Sequence, residues 1–536
     1  MKNTLIMKEA FVLYILLIFL ILLMVMAARK LKIASPLLLV AGGLLLSWIP
    51  ALSHIQIDPE LIFLIFLPPL LYEAAWYTSW KEMWRWRRVI SVFAVLIVII
   101  TSGVVALVSW AWIPGFTLAL GFLLGGIVSP PDAISATSVM RLVRAPKRLT
   151  HILEGESLLN DASSLIIYRF ALTAVATGRF VFHEALGSFL LVITMGIAIG
   201  VAIALAYTAI YRWLPTTPDI DIVLTLTAPY VMYLAAESLH FSGVLSVVSG
   251  SLFLSTRNYQ IFSHRSRLRG NNVWTTIGFV FNGLIFMLIG LELPEIIRQL
   301  GGVSLTQAIT YGVGITLLLM VGRLLCTLGS SVFTVFISRY ITTAESRPGW
   351  KGPILFGWAG MRGVVSLAAA LSIPLTLRSG VPFPQRNLIL FITFVVIILT
   401  LLVQGLSLPF VIRKLNMKDP DHDLTPEEQD VQVRLQLTEH SLAFLDANYA
   451  GEMAANPLLR QLRNRLCTDD EQLHRQTPDV QQQYMKIYLK VLKQQRQFLL
   501  DLNKSLANDE EIIRKYHTIL DIEQEKLIRL YETGSE

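Results

Sequence analysis

The chain predicts an all-α polytopic membrane protein with a helical cytosolic tail, and three observations point that way. Of its 536 residues, 54% are hydrophobic and only 15% charged, far from the balance of a soluble domain. About 13 apolar runs are each long enough to contribute a helix to a hydrocarbon layer ~30 Å thick. The loops between them are alternately rich and poor in Lys and Arg.

The first run, 10 to 28, follows Lys2 and Lys8 and ends in small residues, the outline of a secretory signal. It is as long as a span, however, and Arg29, Lys30 and Lys32 follow at once, which opposes export of what comes next. It is therefore assigned as a retained helix. The remaining runs cover 36 to 50, 58 to 75, 89 to 112, 116 to 140, 150 to 177, 183 to 211, 219 to 237, 241 to 256, 273 to 293, 303 to 338, 353 to 374 and 387 to 412. Basic residues mark every second loop: Lys81, Arg85, Arg87 and Arg88; Arg141, Arg144, Lys147 and Arg148; Arg212; Arg257, Arg265, Arg267 and Arg269; Arg339, Arg347 and Lys351; Arg413 and Lys414. The other loops hold few positive charges, such as Arg179, Arg298, Arg378 and Arg386, or none. The alternation expects an odd number of spans in a cell membrane, with the N-terminus outside and the tail in the cytoplasm.

A membrane domain is thus expected over 1–413 and a cytosolic helical tail, regulatory or dimerising, over 414–536. Thr425, Pro426 and Glu428 form an N-cap, a first-turn proline and a capping-box acid. Apolar residues at helical spacing mark 480 to 506 and 510 to 531, Ile512, Ile513, Tyr516, Ile519, Leu520 and Ile522 among them. The net charge of +7 sits at membrane edges rather than on a soluble basic face, which excludes nucleic-acid binding. Cys326 and Cys467 are too far apart in sequence for a disulfide framework or a zinc spacing. No nucleotide, metal or triad pattern occurs in the tail, and neither an enzyme nor a cofactor is expected.

Two runs are interrupted. Pro130 and Pro131 in Ser129–Pro130–Pro131–Asp132 remove two amide donors, so the fifth run breaks. Asp132 lies about 14 Å from Arg141 along a helix, at mid-depth. Gly360 and Gly363 weaken the twelfth run around Arg362, about 17 Å from Lys351. The interruptions are seven crossings apart, so the two segments run in opposite directions, as inverted repeats require. Paired interruptions of this kind mark the binding site of a secondary transporter.

Charge inside the sixth run carries the chemistry. Glu154, Glu156, Asn160 and Asp161 lie in an otherwise membrane-spanning stretch, with Asp161 about 20 Å past Arg148. An acid at that depth costs at least ~2.5 kcal/mol to insert and is by default an ion or proton site. Ser157 and Asp161 share one helix face, while Glu156 and Asn160 share the next. Oxygen ligands of this kind suit a hard, weakly held cation. Arg323, in the eleventh run, is expected to neutralise one carboxylate as a structural ion pair. Glu73, after Leu67–Pro68–Pro69, is assigned a structural role. Arg169 lies deeper than snorkelling easily explains and receives no role.

Glu156–Ser157–Leu158–Leu159–Asn160–Asp161 resembles the signature of sodium/proton exchangers of the cation:proton antiporter-1 family, the bacterial NhaP-type proteins and their animal relatives. Phe66–Leu67–Pro68–Pro69, Phe281–Asn282–Gly283–Leu284 and Gly360–Met361–Arg362–Gly363 resemble further family segments, over roughly residues 10 to 412. The resemblance implies a 13-helix homodimer in the lipid bilayer, with a core domain of crossed broken helices and a separate dimerisation domain. It implies that Asp161 binds the ion and the proton, and that Asp132 and Ser157 complete a Na+ site. It also implies that Glu156 pairs with Arg323, that Asn160 stands where electrogenic relatives have aspartate, and that Arg362 compensates helix dipoles. Pro131 departs from the family, which often has threonine there; a threonine ligand does not carry over.

The expected function is one-for-one exchange of Na+ for H+ by alternating access, with Li+ or K+ as alternative cargoes and K+/H+ antiport as the nearest rival. An intramembrane aspartyl protease using Asp132 and Asp161 is a remote alternative of another class.

Overall fold

The computed structural model describes residues 2–31, 35–49, 59–143, 145–178, 182–300, 302–337, 349–377, 380–417, 426–475, 478–502 and 510–531. Thr425 and Leu506, and among the loop charges Lys32, Arg144, Arg179, Arg339, Arg347 and Arg378, lie outside them. The chain divides into two compact units, Met1–Lys418 and Asp419–Glu536.

In the first unit, helix occupies every apolar run among the described residues. α1 (Lys2–Leu31), α2 (Ser35–Leu46) and α3 (Pro59–Tyr77) come first, and α3 absorbs Pro68 and Pro69 without a break. α4 (Trp80–Arg85) starts where the Ser79 hydroxyl accepts the Glu82 N–H. Its Trp80 and Trp84 rings stack 5.6 Å apart and Arg87 lies over Trp84, an aromatic and basic cluster suited to a membrane–water interface. α5 (Arg87–Ser91), a π-helical stretch over Val92–Ile97 and α6 (Val98–Trp112) follow as one continuous rod. Next come α7 (Leu118–Val128), α8 (Ala133–Leu142), α9 (Lys147–Thr177), α10 (Phe182–Trp213), α11 (Pro218–Ser238) and α12 (Gly243–Thr256). Thr117, Thr217 and Ser242 cap α7, α11 and α12 with side-chain oxygens, each satisfying an otherwise orphaned amide. The short α13 (Asn258–Ile261) leads to α14 (His264–Arg298) and α15 (Leu305–Ile337). The unit ends with α16 (Lys351–Trp358), α17 (Val364–Leu371) and α18 (Arg386–Leu415), which passes the boundary at 413 expected from composition.

Six of these segments are long and apolar enough to cross a membrane by length and composition: Arg87–Trp112, Leu190–Trp213, Pro218–Ser238, His264–Arg298, Leu305–Phe336 and Arg386–Leu415. Their outward faces are apolar. Leu190, Leu191 and Leu205 on α10, and Leu317, Val321, Leu325 and Phe333 on α15, are exposed, a surface fit for lipid rather than water. The helices α7, α9, α17 and α18 hold the interior, and α9 packs on α7, α8, α12, α16 and α17, so one face of α9 meets both interrupted segments.

The second unit comprises α19 (Pro426–Ala455), α20 (Pro457–Arg475), α21 (Pro478–Leu502) and α22 (Glu510–Tyr531). α19 pairs with α20 and α21 with α22. Arg463 holds Asp446 with two hydrogen bonds of 2.8 and 3.2 Å, and this keeps the Asp446 carboxyl below its usual range. The pair is exposed to solvent, so it contributes little to stability. Arg496 reaches Asp521 at 2.7 Å, and Tyr488 donates to Glu523 at 3.1 Å, across the second hairpin. Leu492, Ile513 and Leu527 are buried. Leu492→Ala should therefore cost about 2–5 kcal/mol. Limited trypsin digestion of the full chain should cleave α21 and α22 faster in this variant, with the fragments of the first unit unchanged.

Candidate functional site

The two interruptions meet. α7 stops at Val128 and α8 begins at Ala133, because Pro130 and Pro131 supply no amide hydrogen to continue the ladder. α16 stops at Trp358 and α17 begins at Val364. One backbone hydrogen bond ties the unwound segments together, from Asp132 N–H to Met361 O at 2.6 Å. Each strand of the crossing is tied down further. Ser102 Oγ donates to Ser129 Oγ at 2.9 Å, and Arg362 N–H donates to Thr400 Oγ1 on α18 at 3.1 Å.

Four half-helix ends converge here, and two charged side chains answer them. Arg362, fully buried, donates from Nε to Val128 O at 2.9 Å and from Nη2 to Ser129 O at 3.4 Å, at the carbonyl end of α7. Its Nη1 donates to Gly360 O just beyond α16. A guanidinium there offsets the partial negative charge of both C-termini. Asp132 takes the opposite position. It stands one residue ahead of α8, its Oδ2 accepts from Ser135 Oγ at 2.7 Å, and its carboxylate abuts Gly363 at the N-terminus of α17. A carboxylate at two helix N-termini is stabilised by both. Gly360 and Gly363 are needed for space: a Cβ at the first would strike the Arg323 side chain, and at the second the Asp132 carboxylate.

α9 passes beside this crossing. The Ser157 hydroxyl accepts the Ala133 N–H at 3.2 Å and lies 3.4 Å from Pro131 O, to which it donates. Asp161, one turn on, is buried with 6% exposure and interacts electrostatically with Asp132. Asp132, Ser157 and Asp161 are thus brought together, with the Pro131 carbonyl in place of any threonine hydroxyl. This is a small all-oxygen group, suited to a monovalent cation or a proton as transient cargo. Among the described residues, no three His, Cys, Asp or Glu side chains gather as a metal cage.

The neighbouring face of α9 holds a separate arrangement. Arg323 Nη2 lies 2.8 and 2.9 Å from the two Glu156 oxygens, and Arg323 Nε donates to Phe356 O at 3.2 Å. Both side chains are almost wholly buried, so the pair links α9, α15 and α16. Asn160 lies a turn from Glu156, fully buried, with its amide interacting with the Glu156 carboxylate. Glu154 faces away, 3.7 Å from His151 near the start of α9. Glu73 on α3 lies against Gly278 of α14, outside this cluster.

The fold supplies a partner for Arg169, which had no role in the sequence reading, and a further role for Asp132. Arg169 binds Glu237, at the far end of the eighth run, and Asp132 answers helix N-termini as Arg362 answers C-termini. An acid within a span was the signal available for Glu237. For Asp132 it was position, one residue before the helix that resumes after two prolines.

Removing either member of the Glu156–Arg323 pair should be strongly destabilising, by about 3–5 kcal/mol, because the other charge stays buried without a partner. In detergent, Arg323→Met and Glu156→Gln should each lower the melting temperature, and the double replacement should recover most of the loss.

The family model described as sodium/hydrogen exchanger, transmembrane, matches residues 15–414. A Mycobacterium tuberculosis protein described as a Na(+)/H(+) exchanger is 32% identical over 520 residues, covering 93% of this chain and 93% of its own. The sodium, potassium, lithium and rubidium/H(+) antiporter of Bacillus pumilus is 34% identical over 395 residues, covering 71% of this chain and 58% of its own. The solved structure of the sodium proton antiporter MjNhaP1 from Methanocaldococcus jannaschii shares the fold, with a TM-score of 0.62 at 18% identity, over 77% of this chain and all of its own.

Proposed function

Because this chain belongs to the sodium/hydrogen exchanger family, whose members are cation/proton antiporters and not enzymes, we propose that it exchanges Na+ for H+ one for one at Asp161. The observation that carries the assignment is the charge pattern around α9. Glu156 is neutralised by Arg323, Arg362 by helix C-termini, and Asp132 by helix N-termini. Asp161 is paired with no basic side chain among the described residues, and the charge nearest it is the carboxylate of Asp132. A single carboxylate that holds either a cation or a proton, but not both readily, couples the two fluxes.

Asp132, the Ser157 hydroxyl and the Pro131 carbonyl would supply the remaining oxygen ligands. Asn160 keeps the position beside Asp161 neutral, so one cation moving one way and one proton the other conserve charge. Alternating access is part of the proposal: crossed half-helices would present the ion site at mid-depth, and motion of that unit would expose it to each side in turn. Thirteen spans, a homodimer in the cell membrane and a cytoplasmic tail complete the proposal.

K+/H+ exchange is a second outcome, favoured by two observations. The Bacillus pumilus relative is named for four alkali cations, and Pro131 leaves only backbone carbonyl where a hydroxyl ligand would tighten the site.

Asp161→Asn should abolish cation-dependent pH change in proteoliposomes, read by a pH dye; exchange that persists would reject Asp161 as the shared site. With wild-type protein, Na+, Li+ and K+ added in turn should give dequenching in an order that identifies the cargo. Turnover should not change under an imposed membrane potential, and a current that reverses with voltage would reject one-for-one exchange.

A further inference from the structure

The row of α9 side chains that begins at the exchange site continues toward the C-terminal end of the helix. Ser157, Asp161, Leu165 and Arg169 recur every four residues, so they form a stripe that winds around the helix by about 40° at each step, and Arg169 stands about 12 Å beyond Asp161 along the axis. A cavity of about 210 Å³ opens on that stripe. It is lined by Leu165 and Arg169 of α9, Tyr233 of α11, Ser242 and Val244 at α12, and Ser372 after α17. Tyr168 Oη lies 3.0 Å from Ser372 Oγ, so the wall of the cavity is joined to the end of α17, whose start follows Gly363 beside Asp132.

Arg169, in the cavity wall, binds Glu237 Oε1 behind it and donates to Phe241 O at 3.4 Å. The same Glu237 oxygen accepts the Gly243 N–H at 3.1 Å. The carboxylate is therefore fixed in place by backbone at the start of α12 whether or not the guanidinium is present. Exposure separates this pair from Glu156–Arg323. The side chains of Arg169 and Glu237 are 38% and 25% exposed, whereas those of the other pair are 2% and 1%. A buried pair resists replacement, but a half-exposed one contributes little and is open to competition from dissolved cations.

We infer that Glu237 is the first cation-binding carboxylate on the membrane face where α9 ends, with Arg169 as a tethered cation that holds it until an incoming alkali ion takes its place. Ser242 and Tyr233 line the same cavity; the Ser242 hydroxyl accepts the Leu245 N–H and the Tyr233 hydroxyl meets Arg169, and their remaining lone pairs offer further oxygen ligands to a hard, partly hydrated monovalent cation. The displaced guanidinium keeps its bond to Phe241 O. From Arg169 the ion has about two turns of α9, past Leu165, left to travel before Asp161. The inference rests on Asp161 as the exchange site and on the loop charges for naming that face external.

The test is exchange measured with Na+ added to one face at a time, in right-side-out and inside-out vesicles. Glu237→Gln should raise the half-saturating Na+ concentration at the external face by about tenfold, the scale of one lost charged ligand, and leave the internal value unchanged. Arg169→Gln should lower the external value severalfold, because the competitor is gone. Opposite shifts are the discriminating result, since loss of a merely structural pair moves both variants the same way. Equal shifts at the two faces, shifts of the same sign, or no shift would each overturn the assignment. Glu237→Asp keeps the charge and should shift the external value less than Glu237→Gln; it serves if the amide variant fails to reach the membrane. Asp161→Asn is assayed in parallel: if it still exchanges, the Asp161 assignment fails, and the sided response at Glu237 remains readable.

Discussion

The structure depends on satisfying four helix ends where there is little water to do it. Each unwound segment leaves amides and carbonyls without intrahelical partners, and at membrane depth every such group costs several kcal/mol unless protein meets it. The Asp132 N–H to Met361 O bond closes one pair. Arg362 gathers the carbonyls of Val128, Ser129 and Gly360, while Asp132 lies at the amide ends. Neither charge would be tolerable there without the broken helices, and the broken helices would be orphaned without the charges. The exchange chemistry proposed at Asp161 is built beside this crossing, on α9, a continuous helix that, like α18, touches both half-helix pairs.

Charge pairs in the membrane unit fall into two kinds that burial distinguishes. Glu156–Arg323 is sealed among α9, α15 and α16 and has the character of a brace. Arg169–Glu237 is partly exposed, and its Arg169 lines a cavity. Both pairs use carboxylates that a hydropathy profile counts equally as defects in a span. Their energetics differ because the cost of separating charge depends on how much water reaches it.

The tail follows different rules. Its helices are amphipathic, joined in two hairpins, and held by buried Leu492, Ile513 and Leu527 with exposed ion pairs around them. Such a unit folds by burying apolar stripes away from water, whereas the membrane unit, with apolar residues inside and out, is organised by its few polar groups.

Much of this was legible in the order of residues. Apolar runs, their lengths and the prolines at 130 and 131 define helices and a break, because backbone hydrogen bonding and hydrophobic periodicity are local properties. The spacing of Ser157 and Asp161 already put a hydroxyl and a carboxylate on one face. Partner identity was mostly not legible. Arg323 reaches Glu156 across 167 positions and Arg169 reaches Glu237 across 68, and no local pattern specifies which acid a distant cation meets. The role of Asp132 at two N-termini, the space that Gly363 leaves for it, and the commitment of Ser157 to the Ala133 amide arise only when the interrupted helices cross. Sequence alone determined which segments are helical and which break; tertiary structure decided which broken ends face one another, because their charges and orphaned backbone groups are compensated only by groups far away in the chain.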